Sequence, residues 1–553
     1  HNRLATPLFN TARFTQHIEA ALVTMWEIHQ AGDKPKAFAV GPARDAQSPP
    51  VSASATPRQA LKSIADSAIT IRQALMLHKQ GKITEAERLY RQVLASESDH
   101  FDALHLLGVL HAQRDDFTNA IAFLSRALAR RPRSAEAHFN LGLALSKLRR
   151  YDEALASYDR ALALKPENAD AHYNRANTLV EVKRFDEAVA GYDAALRLRP
   201  GHAGMHYSRG NALRKLNRQE EAIASYDEAL RVQPAYLDAF LNRGNALREL
   251  GRNEDALTVY DQGLRISPDH PDLLFNRGNA LQSLRRFRDA VASYEAALAA
   301  ASRRADVLIN YGNCLVQLDR HEDAMAAYDR AATIAPGDPE TFRNRGILLA
   351  TLQRDEEALW SFEEALRLKP DHLPVLVSHG NALVRLNRMQ EAIASYEQAL
   401  AIEPNYVEAL NNRGNALQAT GRRTEALESY ERALAADPDN VEVLHNRGNT
   451  LAKLNRYEEA ALSYGKALNL QPNYRYILGA VAYSRAHSCD WLDYRATQDR
   501  VLSDLKAQRM SCGPFPFLSV SASPSDQLQC ARTFVRDRYP AVVPPLWQGE
   551  RYR

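Results

Sequence analysis

AFLNRGNALRELGRNEDALTVYDQGLRISP, residues 239–268, holds the spacing that decides the fold. Gly244 is followed three residues later by Leu247, twelve later by Ala256, sixteen later by Tyr260 and twenty-four later by Pro268. Working outward, the small residue returns every 34 positions without an insertion or deletion. It stands at Ala74, Gly108, Gly142, Ala176, Gly210, Gly244, Gly278, Gly312, Gly346, Gly380, Gly414 and Gly448. An alanine follows each of the twelve at the same distance, from Ala86 to Ala460, and an aromatic follows in eleven, Leu124 being the exception. Proline closes ten of the repeats, and Ser98 and Ser302 stand at that place in the other two.

Within each period the apolar residues recur at i, i+3, i+4 and i+7, the stripe of an amphipathic helix, twice over. A turn that often carries Asn or Gly and then Arg separates the two helices, as in Leu216-Asn217-Arg218 and Leu250-Gly251-Arg252. Proline stops the second helix because it drives the preceding residue out of helical geometry. One such pair cannot bury its own apolar face, so the pairs must stack. Small residue, leucine, alanine, aromatic and proline at this period resemble the tetratricopeptide repeat over residues 67–474. The fold class expected is all-α, a right-handed superhelical α-solenoid of twelve repeats, with a degenerate repeat and junction over 475–553.

The 553 residues carry 70 basic and 67 acidic side chains, a net charge of +3. That balance offers no bulk attraction for nucleic acid or an anionic membrane, and no apolar run is long enough to span a bilayer. Cys314, Cys489, Cys512 and Cys530 are too few and scattered for a disulfide framework or zinc site, so a reducing, cytoplasmic setting is expected. His138, His172 and His206 recur at one helical position with no carboxylate or cysteine at ligand spacing, and read as packing residues. No phosphate loop, nucleophile triad or carboxylate pair stands out, so no catalytic, cofactor-binding or metal residue is assigned.

Asparagine stands two before the small residue in eight repeats: Asn140, Asn174, Asn242, Asn276, Asn310, Asn344, Asn412 and Asn446. A second set stands one after it, at Asn177, Asn211, Asn245, Asn279, Asn313, Asn381, Asn415 and Asn449. Positions three apart share a helix face, so the sets form adjacent rows along the first helices. A carboxamide both donates and accepts, which suits the first row to grip the main chain of an extended peptide. The competing account is duplication of a solvated asparagine that does nothing. Arginine often follows the first row, as in Asn242-Arg243-Gly244, and is expected to lay its stem on apolar neighbours and pair with carboxylates.

The segment Cys489-Asp490-Trp491-Leu492-Asp493-Tyr494, directly after the last repeat, is similar to the junction in protein O-GlcNAc transferases of the bacterial and SPINDLY type. Gly513-Pro514-Phe515-Pro516-Phe517, read as a loop, and the helix led by Ser523-Pro524 also resemble that junction, as does Gly549-Glu550-Arg551-Tyr552-Arg553. Residues 1–40, with Pro7-Leu8-Phe9-Asn10-Thr11, Arg13-Phe14, Glu19, Met25-Trp26, Gly32 and Phe38, resemble the C-terminal tail of the same family's catalytic domain, although Asn10 stands where Asp is commoner. Residues 41–66 then read as flexible linker and lead-in. A chain cut from a tandem of such enzymes, without its initiator methionine, would have this arrangement.

What the resemblance implies is a region that recruits acceptor proteins for sugar transfer to Ser or Thr. The donor implied is UDP-GlcNAc, bound by a catalytic domain that this chain lacks, and fucose transfer stays open. A stand-alone scaffold for protein assembly is the alternative. Either way the partners expected are proteins or extended peptides in the concave groove, not nucleic acid or membrane, with a homodimer through the repeats left open.

Overall fold

The computed structural model describes residues 57–538, and every regular element among them is a helix. The readings made on residues 1–40, 41–56 and Gly549–Arg553 lie outside the described residues. The described residues open with the helix Pro57–Lys79, which takes in part of the stretch read as linker and lead-in. From the second repeat onward each unit is a first helix of 13 residues and a second of 14, as in Leu237–Glu249 and Asn253–Ile266.

The turn between them is closed by one residue in the left-handed region, at the same place in all twelve repeats. Around Gly251, whose φ is 76°, the N–H of Arg252 donates to the Leu247 carbonyl and that of Gly251 to the Arg248 carbonyl, each at 2.9 Å. These two bonds satisfy carbonyls that a helix end leaves without partners. Only Gly81, Gly251 and Gly421 supply glycine there; Asn217, Asn387 and Asn455 tolerate the conformation, and Arg149, Lys183, Arg285 and Gln353 adopt it against their side-chain preference.

The helix pair locks where the sequence puts its smallest and largest core residues together. Tyr260 is fully buried, and a Cβ on Gly244 would come within 2.2 Å of its ring. At this position a side chain would meet the ring, and the same close approach recurs at Gly210 on Tyr226 and Gly380 on Tyr396, whereas Ala74 and Ala176 hold the place in the repeats of the buried Tyr90 and Tyr192. Ala256 and Leu247, in the helix pair of Tyr260, are buried as well.

The chain divides into two compact units, residues 1–167 and 168–553. In the first, the described part is three helix pairs, with cores around Ala74, Tyr90 and Leu107 and around Leu145, Ala154 and Tyr158. The second holds nine pairs and is an α-solenoid: each second helix packs on the first helix of the next repeat. Successive first helices also touch, as Leu237–Glu249 does Pro271–Ser283, whereas successive second helices stay farther apart. The first helices thus form the inner, more closely spaced wall.

After the last repeat, Ile477–His487 takes the place of a further first helix, with Ile477 and Val481 in the core of Tyr464. Its other side, Leu478 and Ala482, is covered by Val501, Leu505, Phe517 and Val520. These come from Tyr494–Lys506, Pro514–Phe517 and the segment after it, and Pro524–Arg538 closes over them. The Pro-Phe stretch is a helical turn and not a loop, because Phe517 and Val520 are drawn into this core.

Candidate functional site

The inner wall of the second unit carries the whole second asparagine row and seven of the eight first-row residues, Asn140 belonging to the first unit, and each row has a definite geometry. In every one of its eight repeats the second row accepts a hydrogen bond from the buried tyrosine: Tyr260 Oη donates to Asn245 Oδ1 at 2.8 Å, Tyr192 to Asn177 at 2.7 Å, Tyr396 to Asn381 at 2.6 Å. The same bond joins Tyr226, Tyr294, Tyr328, Tyr430 and Tyr464 to Asn211, Asn279, Asn313, Asn415 and Asn449. A hydroxyl so deep needs an acceptor, since leaving it unmet costs about 1–3 kcal/mol. Where the large residue has no hydroxyl the asparagine goes too: Leu124 is matched by Val109, and Phe362 by Ile347. Burial raises the Tyr260 phenol to about 12.

All eight first-row residues are half-buried, the seven from Asn174 onward on the same wall. Asn242, Asn310 and Asn412 donate through Nδ2 to the second-row Asn211, Asn279 and Asn381 of the preceding repeat, at 3.1, 2.9 and 3.1 Å. Asn446 donates to Asn411 at 3.0 Å and Asn140 Nδ2 lies 2.9 Å from His105 Nε2. Asn174 and Asn276 turn back onto the carbonyls of Asp170 and Asp272. Seven of the eight therefore use their amide nitrogen within the protein, which the sequence alone did not reveal. Asn344 makes no hydrogen bond among the described residues, although Asn313 stands where its partner would be.

Arginines beside the first row hold neighbouring repeats together. Arg413 donates to Glu397 of the preceding repeat at 2.8 Å and to Ser429 of its own at 2.6 Å. Arg345 does so with Asp329 and Ser361, and Arg277 with Asp261 and Ser293. The expected pairing with carboxylates is what the structure has. His379 replaces this arginine in one repeat, its Nδ1 lying 3.0 Å from Ser395 Oγ, and burial holds its pKa below the ordinary range. His138 and His206 lie 2.9 Å from the carbonyls of Pro132 and Pro200, a packing role.

The wall opens beside Asn344. The second helix His321–Ile334 packs on Pro339–Thr351 more sparsely than any other such pair in this unit. An open cleft of about 410 Å³ lies there, with Asn344, Asn313 and Ile347 on its lining. Ile347, 40% exposed, had gone unremarked in the sequence; the signal was its pairing with Phe362, the one repeat in this unit to lose asparagine and hydroxyl together. No helix among the described residues is long and apolar enough to cross a membrane.

With this geometry in view, comparison with known proteins gives consistent family matches. A tetratricopeptide repeat model matches residues 139–203, 275–339 and 411–475, and a TPR repeat model matches 210–251, 244–284 and 380–421. A model of anaphase-promoting complex, cyclosome, subunit 3 matches residues 79–161. No curated protein matches the chain. Among solved structures, YrrB, described as a TPR protein with an unusual peptide-binding site, is 26% identical over 33% of this chain and 95% of its own, with a TM-score of 0.30. PilF of Pseudomonas aeruginosa is 23% identical over 37% of this chain and 94% of its own, at 0.34, and MamA 20% over 29% and 94%, at 0.28. The family matches and the helix pairs agree in period and register, and the chain carries a tetratricopeptide-repeat region.

Proposed function

We propose that this chain is a protein-binding scaffold whose inner wall holds an extended stretch of partner polypeptide. The observation that carries the reading is the row of half-buried carboxamides on that wall. In Asn174, Asn276, Asn310 and Asn412 of that wall, and in Asn140 of the first unit, the amide nitrogen is fixed within the protein while Oδ1 makes no bond among the described residues. Each is an oriented acceptor for a main-chain N–H, and Asn344 offers donor and acceptor both. Such contacts ignore side chains, so they suit a scaffold with several clients.

The test is binding of unstructured peptides to the full chain by fluorescence anisotropy, with Asn276, Asn310, Asn344 and Asn412 replaced by alanine. Melting curves report whether the wall survives. Folded protein that has lost its peptides supports the reading; undiminished binding discards the asparagines as its basis.

The finer reading is that the scaffold recruits acceptors for a protein O-GlcNAc transferase-like glycosyltransferase, with the sugar passing from UDP-GlcNAc to Ser or Thr. Its support is the resemblance of the segment from Cys489 to Tyr494, which follows the helix Ile477–His487. None of the matching families or structures above names a glycosyltransferase. Transfer of labelled GlcNAc to bound serine peptides by the protein isolated from its source would favour this reading. Bound peptides that stay unmodified favour the stand-alone scaffold.

A further inference from the structure

We infer that the cleft beside Asn344 is the specificity pocket of the wall, taking an uncharged apolar side chain from an extended polypeptide. The inference rests on the peptide-binding reading and adds where along the wall selection occurs and for what. Three observations converge on one repeat. Ile347 presents a large apolar side chain where eight other repeats present asparagine. Val316 and Phe287 line the same cleft, so its floor is apolar. Asn344 stands beside Ile347, one residue short of a full helical turn, with its carboxamide making no bond among the described residues.

The rim is polar without being charged. Gln282, Gln317 and Thr351 border the cleft, and no lysine, arginine, aspartate or glutamate lines it. Other clefts differ: one is bordered by Glu403, Glu408, Asp437 and Glu442, another by Arg218, Glu220, Glu221 and Glu249. A charged ligand side chain entering the Ile347 cleft would lose water and meet no counter-charge. An apolar one displaces water from Ile347, Val316 and Phe287 while Asn344 pairs with the N–H and C=O flanking it. An extended strand fits this geometry because its main-chain groups are open for pairing; in a helical ligand they are already bonded.

The experiment uses the full chain and a serine-, threonine- and glycine-based peptide with a central leucine, against counterparts with aspartate, lysine or alanine at that place. Photo-leucine replaces the leucine so that weak contacts are captured and mapped by mass spectrometry. Cross-links at Ile347, Val316 or Phe287 are expected, with leucine favoured over aspartate and lysine. Ile347→Asn should weaken the leucine peptide by about tenfold, the scale of discrimination an apolar pocket provides. Ile347→Glu should turn the preference towards lysine. Ile347 is exposed enough that neither change disturbs the core, and melting curves check this. Peptides that bind elsewhere on the wall, or equally to wild type and Ile347→Asn, overturn the pocket and leave the scaffold standing. Failure of every peptide to bind or cross-link overturns both.

Discussion

Tyr260 Oη donates to Asn245 Oδ1 at 2.8 Å, joining the buried ring of a second helix to the inner wall of the first. The bond makes the two positions one unit. Asn245→Ile strands the hydroxyl and should cost about 1–3 kcal/mol, whereas Tyr260→Phe, which removes the group needing a partner, should cost about 1. The double variant Tyr260→Phe with Asn245→Ile reproduces the pairing of Phe362 with Ile347 and should be less damaging than the two single costs added. Urea unfolding of the four proteins measures the coupling; strict additivity would disprove it.

Gly244 faces the same ring so closely that even a methyl group must displace it. Gly244→Ala should destabilise the array by about 1–3 kcal/mol, against the usual helical preference for alanine. Tyr260→Ala should cost roughly 3–5 kcal/mol by emptying the space. Hydrogen exchange should show the loss concentrated in the adjoining repeats, because stacked units are coupled chiefly to their neighbours.

Arg285 closes its turn with φ at 58° and is exposed. Arg285→Gly should stabilise by about 0.5–1 kcal/mol, the relief of left-handed strain less the entropy glycine loses on folding. A higher denaturant midpoint with an unchanged slope checks it.

Arg413 ties Glu397 to Ser429 and so spans a repeat boundary. Arg413→Met keeps the stem and removes the charge, and should cost about 1–2 kcal/mol. Amides on both sides of that boundary should exchange faster, and those in repeats far from it should not.

The buried tyrosines set the alkaline limit. Burial raises the phenols of Tyr90 and Tyr260 to about 12, above the ordinary value near 10. A raised folded pKa means that the unfolded chain releases protons first. The stabilisation is therefore whole below about pH 10 and falls as the pH climbs towards 12. Absorbance at the phenolate band should rise in two phases, exposed tyrosines first and buried ones together with loss of helix. A single phase with the helix intact would contradict the burial.

The period, the helix pairs, the glycine against the aromatic and the paired arginines were legible from residues 239–268 outward. Each is set by spacing along one chain, and 34 residues suffice to specify it. The asparagines were not legible in the same way. A letter at a fixed position shows which face it occupies but not which atoms across a repeat boundary lie within 3 Å. The second row proved to be the acceptors of buried hydroxyls 15 residues on in the same repeat, and five of the first row reach across a repeat boundary, because stacking brings residues 31 or 35 apart into hydrogen-bond range. Packing likewise distinguished Asn344 from its seven counterparts. Sequence determined the repeating unit by local periodicity; the tertiary structure decided which polar atoms each unit leaves open, since that depends on how closely one unit settles on the next.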